Sequence, residues 1–373
     1  MFKKSDYRDT TVVVSKKAYR ENIRFFQEKC TPAKVMPVIK ADGYGHGAFE
    51  LAQAAGECGC DFFAVAFLSE ALELRKKGIK SDILILNYFN PNYIDELVKQ
   101  GLHATIYSWE QYQKLRENCT QGVIQAHVIV DTGMSRIGFD FRNAKEPITK
   151  IINDEKFKID GLYTHFASAD EVDKSFTELQ AYRFNELVRQ LPPIKTKHIS
   201  NSAGALFEGW EKDLNKPEYD FVRLGIAAYG LDPKSDEREK ELMPVLKWET
   251  RVAMVKTIKK GTSISYGRTF IADKDLRVAT IPVGYADGYN RLLSNKGEVL
   301  IQGRRCPVLG RVCMDQFVVC VDHLQDVRQG DGCVLLGRMG DEEISAEEIA
   351  ARIDTINYEV TCAISKRVPR QYI

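Results

Sequence analysis

The sequence predicts an α/β protein with two domains: an N-terminal (β/α)8 barrel over residues 1–240 and a C-terminal mostly-β domain over 241–373. Three observations predict it. Up to about residue 230, eight short apolar runs alternate with amphipathic or polar stretches. After about residue 240, apolar runs follow one another with glycine turns between them. A length of 373 residues is also too great for one small core.

The barrel strands are expected at 35–39, 61–67, 82–86, 102–106, 125–130, 159–165, 196–199 and 220–224. Several are continuous apolar runs, as a parallel sheet covered on both faces requires. Helical patterns fill 17–29, 69–78, 109–118 and 171–190. In Ser69-Glu-Ala-Leu-Glu-Leu-Arg-Lys-Lys-Gly78 a serine cap, an amphipathic face and a terminal glycine mark both ends of a helix. Eight such units favour a closed barrel over an open doubly wound sheet. In the second domain Arg251-Val-Ala-Met-Val-Lys-Thr-Ile, Val278-Ala-Thr-Ile-Pro-Val, Glu298-Val-Leu-Ile and Gln316-Phe-Val-Val-Cys-Val read as strands. One helix is expected near 345–353, and no internal repeat or low-complexity tract is visible.

The composition is that of an ordinary globular protein, with 44% hydrophobic and 28% charged residues. A formal net charge of +1 argues against a nucleic-acid or membrane-surface partner. No window has the apolar length of a membrane span, and the polar start Met1-Phe-Lys-Lys-Ser-Asp-Tyr-Arg has no signal-peptide pattern. Nine cysteines scattered through apolar segments suggest reduced, mostly buried thiols and a cytoplasmic location. Cys58-Gly-Cys60 lacks the spacing of a zinc site, so no metal is expected.

Chemistry concentrates in Val35-Met-Pro-Val-Ile-Lys-Ala-Asp-Gly-Tyr-Gly-His-Gly47. An apolar strand delivers Lys40 and breaks into a glycine-rich turn. Desolvation at a buried strand end disfavours an ammonium and makes the amine a better nucleophile toward a carbonyl. Gly43, Gly45 and Gly47 allow an anion to approach the backbone N–H groups of the turn. Amine and anion cradle together suit an aldehyde that carries a phosphate. A lysine snorkelling to solvent before an ordinary turn is the alternative.

Barrels of this type place functional groups at the C-terminal ends of their strands. Lys40 follows strand one, Arg136 follows strand five, His165 closes strand six, Ser202 follows strand seven and Arg223 ends strand eight. Ser202 with the backbone of Gly225 and Ile226 occupies the usual phosphate position of such barrels. Singly, His165 could be a satisfied core histidine and Arg223 half of a salt bridge. Convergence of five polar or ionisable groups on one face is harder to explain in those terms than any one of them.

These residues carry a resemblance that spans the chain. The motifs are Val38-Ile-Lys-Ala-Asp-Gly-Tyr-Gly-His-Gly47, Val130-Asp-Thr-Gly-Met-Ser-Arg-Ile-Gly138, Thr164-His-Phe-Ala167, Asn201-Ser-Ala203 and Val222-Arg-Leu-Gly-Ile226. The second domain adds Ser265-Tyr-Gly267, Val283-Gly-Tyr-Ala-Asp-Gly-Tyr289, Gly310-Arg-Val-Cys-Met-Asp-Gln316 and Asn357-Tyr-Glu-Val360. The set in this order resembles the alanine racemase family, pyridoxal 5'-phosphate enzymes of the barrel-plus-β-domain type.

The resemblance implies a homodimer with shared active sites, acting on a small amino acid and supplying D-alanine for peptidoglycan. It implies that Lys40 carries the cofactor as a Schiff base and then serves as one acid/base group, with Tyr266 from the partner subunit as the other. Free lysine and tyrosine side chains titrate near about 10, so such a pair depends on its surroundings. By the same resemblance Arg223 faces the pyridine nitrogen and keeps it unprotonated, which should suppress transamination. His165 supports the ring and Arg223. Tyr44, Ser202, Gly225 and Ile226 hold the phosphate, and Arg136 binds the substrate carboxylate with the Met314 backbone, which comes from the partner chain.

Two positions depart from the family. Ile129 stands where many members carry a lysine whose carbamate orients the arginine matching Arg136. Lys366 stands where the family pattern has a tyrosine, near the phosphate and the substrate side chain. An ammonium there either pairs with the phosphate or opens the pocket to polar side chains, as in serine/alanine racemases of glycopeptide resistance. Decarboxylases of the same architecture lack the need for Tyr266. Non-catalytic pyridoxal-phosphate carriers resemble the barrel alone.

Overall fold

The computed structural model describes residues 8–206, 219–234 and 241–373. Eight parallel strands form the barrel: β1 (Lys34–Pro37), β2 (Phe62–Val65), β3 (Asp82–Ile85), β4 (Ala104–Ile106), β5 (Ile124–Asp131), β6 (Phe157–Tyr163), β7 (Thr196–His198) and β8 (Phe221–Leu224). Every expected barrel strand is present, each within a few residues of its place.

Parallel ladders join β2 to β3, β4 to β5, β5 to β6, and β6 to β7. Single bridges close the gaps: Ile39 N–H donates to the Ala64 carbonyl and Ile85 N–H to that of His103. Between β7 and β8, Arg223 N–H donates to the Ser200 carbonyl. The ring shuts where β8 pairs with β1, Phe221 opposite Lys34 and Leu224 opposite Pro37. Closure removes every exposed edge.

The expected helices lie at Lys16–Lys29, Leu68–Lys76, Trp109–Asn118 and Ser175–Val188. Ser108 caps the third of these through the Gln111 N–H. Ser69 is not the cap of the second. Glu70 does that work, its carboxylate accepting the N–H groups of Ala66 and Phe67. Ala48–Gly56, Ile94–Lys99 and Lys145–Ile152 are further barrel helices.

The chain divides into two compact units. One holds Arg20–Gly43 and Ala48–Ala228; the other holds the residues up to Tyr19, Tyr44–Gly47 and Tyr229–Ile373. The second unit is built on a ten-stranded sheet that includes Leu246–Arg251, Met254–Ile258, Leu276–Ile281, Glu298–Ile301, Phe317–Cys320 and Gly332–Met339. The apolar run from Arg251 is therefore two strands, with Arg251 ending the first. Thr11–Val14 and Arg370–Tyr372 lie side by side at one end of this sheet. Ala346–Arg352 is the helix expected near 345–353; Asn357–Cys362 is a second one. Among the described residues no helix is long and apolar enough to cross a membrane.

Candidate active site

Lys40 leaves the barrel just after buried Val38 and Ile39, and the chain then turns left-handed over four consecutive residues. Ala41, Asp42, Gly43 and Tyr44 have φ of 52, 53, 62 and 51°. Only Gly43 adopts this conformation without steric cost, the others paying about 1–2 kcal/mol each. Tertiary bonds hold it: Ala41 N–H donates to Glu70 Oε1 at 2.6 Å, and Asp42 Oδ1 accepts from Ala48 N–H at 3.0 Å.

The later glycines also meet close protein neighbours. A Cβ on Gly45 would lie 2.3 Å from the Thr361 carbonyl oxygen, and one on Gly47 would lie 1.9 Å from the Tyr372 hydroxyl. They are glycines because other parts of their own unit press against them.

Arg223, on β8, is almost wholly buried, and no carboxylate pairs with it among the described residues. Its Nη1 donates to His198 Nδ1 at 2.8 Å and to the His198 carbonyl at 3.1 Å. Its Nη2 donates to the carbonyls of Thr164 (2.7 Å) and Ile199 (3.1 Å) and to His165 Nδ1 (3.2 Å). Every one of these bonds leaves from Nη1 or Nη2, so Nε–H is the donor left for a ligand. Burial pushes the arginine down to about 10, still well above neutrality.

His165 lies within the field of three cations. Burial first, then Arg223, Arg136 and Lys40, hold it well below the usual histidine range, so the ring is neutral. Since Nδ1 accepts from Arg223, the His165 proton sits on Nε2. Gln180, fully buried, fixes the loop by donating to the His165 carbonyl and accepting from Ala167 N–H. Lys40, Arg136, His165 and Arg223 follow or end β1, β5, β6 and β8, at their C-terminal ends, with the Arg223 guanidinium 3.2 Å from His165 Nδ1. Ser202 Oγ accepts from Gly225 N–H at 2.9 Å and from Ala227 N–H at 3.3 Å, tying the loops after β7 and β8 into one turn that includes Ile226.

Arg136 is exposed on a loop shaped by Asp131, whose Oδ1 accepts from Gly133 and Ser135. Among the described residues it makes no hydrogen bond and no ion pair. Ile129 is buried on β5 and supplies no charge to orient it.

The other expected residues belong to the second unit. Tyr44 is buried, its ring 4.8 Å from that of Tyr229 and 6.2 Å from that of Tyr358. Tyr266 is 73% exposed on a strained loop: Ser265 has φ 63° and ψ −176°, and its hydroxyl donates to the Arg311 carbonyl at 2.6 Å. Met314 is 52% exposed. Its carbonyl accepts from Ala286 N–H, and Gly284 leaves no room for a Cβ beside it. Lys366 is exposed beside Ser365, whose N–H donates to the Asp287 carbonyl.

The residues present fit pyridoxal phosphate. A guanidinium with one uncommitted N–H matches an unprotonated pyridine nitrogen, and a lysine beside a neutral histidine matches an aldehyde. Sequence reasoning missed His198 and His127, which stand behind Arg223. For His127, a histidine inside a largely apolar strand was the available signal; His198, ending the polar run Thr196-Lys197-His198, offered none.

Comparison with known proteins agrees in both halves. Residues 14–233 match the alanine racemase N-terminal domain and residues 245–372 the alanine racemase C-terminal domain. An alanine racemase of Halothermothrix orenii is 44% identical over 346 residues, 91% of this chain and 90% of that protein. The crystal structure of an E. faecalis alanine racemase superposes with a TM-score of 0.92 at 35% identity, covering 98% of this chain and 99% of that one. A histidine racemase from Leuconostoc mesenteroides superposes with a TM-score of 0.89 at 27% identity, covering 98% of each chain.

Proposed function

The chain belongs to the alanine racemase family, and from that premise we propose that it interconverts L- and D-alanine with pyridoxal phosphate by a two-base mechanism. The product D-alanine supplies peptidoglycan. The observation that supports the reading most is Arg223, buried at the end of β8 with its Nη groups bound to His165, His198 and backbone carbonyls, on the same barrel face as Lys40 at the end of β1.

Bound pyridoxal phosphate withdraws electrons from the substrate Cα and acidifies its proton. Lys40 would hold the group through Nζ, and its amine would move a proton on one face of Cα. Tyr266, reaching in from a second copy of the chain, moves a proton on the other face. Exposure of Tyr266 and Met314 supports a homodimer with shared sites. Arg223 offers Nε–H to the pyridine nitrogen without giving up its own proton, so the group stays a moderate electron sink. His165 braces Arg223. Tyr44, Ser202, Gly225, Ile226 and Lys366 hold the phosphate, and Arg136 with the Met314 backbone binds the carboxylate. The nine cysteines, scattered through apolar segments, are expected to be reduced thiols of a cytoplasmic protein.

Racemisation of alanine in deuterated water tests the assignment: Cα deuterium appears in both enantiomers, and a protein inert toward alanine refutes it. Serine tests the pocket. Alanine has the higher kcat/KM, and Lys366→Tyr lowers the serine-to-alanine ratio if Lys366 is what admits polar side chains; an unchanged ratio removes it as the cause. Because Ile129 cannot be carbamylated, activity is expected to be independent of bicarbonate. A clear rise on adding bicarbonate to degassed enzyme contradicts this.

A further inference from the structure

The hydrogen bonds behind Arg223 continue into the barrel. His198 Nε2 and His127 Nδ1 are 2.8 Å apart, and both rings are fully buried. A guanidinium can only donate, so His198 Nδ1 is an acceptor and bears no proton. Burial first, then Arg223 and His127, hold His198 well below the usual histidine range, so it is neutral. Its single proton is therefore on Nε2 and is donated to His127 Nδ1. His127 is neutral for the same reason, burial before the charges of His103 and Arg223, and its proton is on Nε2. One strong donor at the end of the chain dictates both tautomers.

The packing permits no easy alternative. Tyr163 stacks on His198 at 4.7 Å and 7°, with its hydroxyl 3.0 Å from Thr105 Oγ1. Gly161 faces the His127 ring so closely that a Cβ there would lie 2.2 Å from Nδ1. Were His198 to carry its proton on Nδ1, that N–H would point at Nη1–H, and the guanidinium would have to move. The chain ends at the N-terminal mouth of the barrel. There His127 and His103 line a cavity of about 460 Å³ with Asp82, Asp160, Lys34, Lys158 and Lys195, while His127 Nε2 itself is buried and meets no acceptor among the described residues.

We propose that His198 and His127 are positioning residues for the racemase reaction: a tautomer-locked pair that holds the Arg223 guanidinium in one orientation, with Nε–H turned to the pyridine nitrogen of the cofactor. The proposal rests on the placement of Arg223 put forward above. The four Nη hydrogens are taken by His198 Nδ1 and backbone carbonyls, with His165 sharing, and every acceptor is neutral. His198 Nδ1 is the acceptor whose direction depends on a further residue, and that residue is His127.

Two-bond proton–nitrogen correlation spectra of the histidine-labelled holoenzyme test the pair directly. His198 and His127 are expected to show a protonated Nε2 and a bare Nδ1, unchanged from about pH 6 to pH 9, where an ordinary histidine titrates. His127→Leu removes the acceptor. The share of turnovers that end in transamination, in which alanine leaves as pyruvate and its amino group stays on the cofactor, then rises roughly tenfold, the scale of one orphaned buried donor. His127→Asn, which keeps an acceptor near Nδ1, restores the His198 spectrum and the partition. A wild-type His198 protonated on Nδ1, or a His127→Leu enzyme with unchanged partition, overturns the proposal. If Arg223→Gln leaves the partition unchanged while the wild-type spectra are as expected, the placement of Arg223 against the pyridine nitrogen fails instead.

Discussion

Lys40→Ala is expected to lose racemisation by at least about 10⁴-fold and to lose the visible absorbance of lysine-bound cofactor. Both losses follow from position. Lys40 emerges from β1 after two buried residues, and the left-handed turn behind it fixes its Cα–Cβ direction. Glu70 and Asp42 hold that turn from outside the substitution, so the alanine variant should keep its fold. An unchanged thermal midpoint with no absorbance and no Cα exchange is the expected pattern. Retained exchange, or retained absorbance, assigns the attachment to another amine and removes Lys40 from the reaction. The neutral state of His165 sharpens the expectation. Burial first, then Arg223 and Arg136, keep His165 neutral even when Lys40 is gone, so it is not expected to substitute as the acid.

The barrel was legible because its signal is redundant. Phe62–Val65 and Asp82–Ile85 are apolar runs bounded by polar residues, and eight such runs at barrel spacing leave few alternatives. Ile94–Lys99 was not legible, since six residues with one apolar face are too few for a period to stand out. The turn after Lys40 was read as a glycine turn, yet Ala41 and Asp42 share its left-handed conformation. Nothing local requires that; the carboxylate of Glu70, 29 residues away in sequence, does. The site was legible where a side chain stands at a strand end. His127 and His198 escaped notice because their meaning lies in a hydrogen bond between strands, which no single stretch of sequence contains.

Tyr266→Phe is expected to lower racemisation by about 10²–10⁴-fold, the usual scale of a lost general acid or base. Fold and assembly should persist, because the ring remains and the hydroxyl sits on an exposed residue. The strain at Ser265 is held by its own hydroxyl on the Arg311 carbonyl, which the substitution leaves alone. With Lys40 intact, one alanine enantiomer keeps exchanging its Cα proton with solvent while the other stops. Equal loss for both enantiomers contradicts a two-base pair. Mixing then decides where Tyr266 acts. In a heterodimer of Lys40→Ala and Tyr266→Phe chains with shared sites, one site lacks both groups and the other has both. Random pairing makes about half the dimers mixed, each with one working site of two, so co-expression restores about one quarter of the wild-type activity. If Tyr266 served the site of its own chain, every site in the mixture would lack one group and nothing would return.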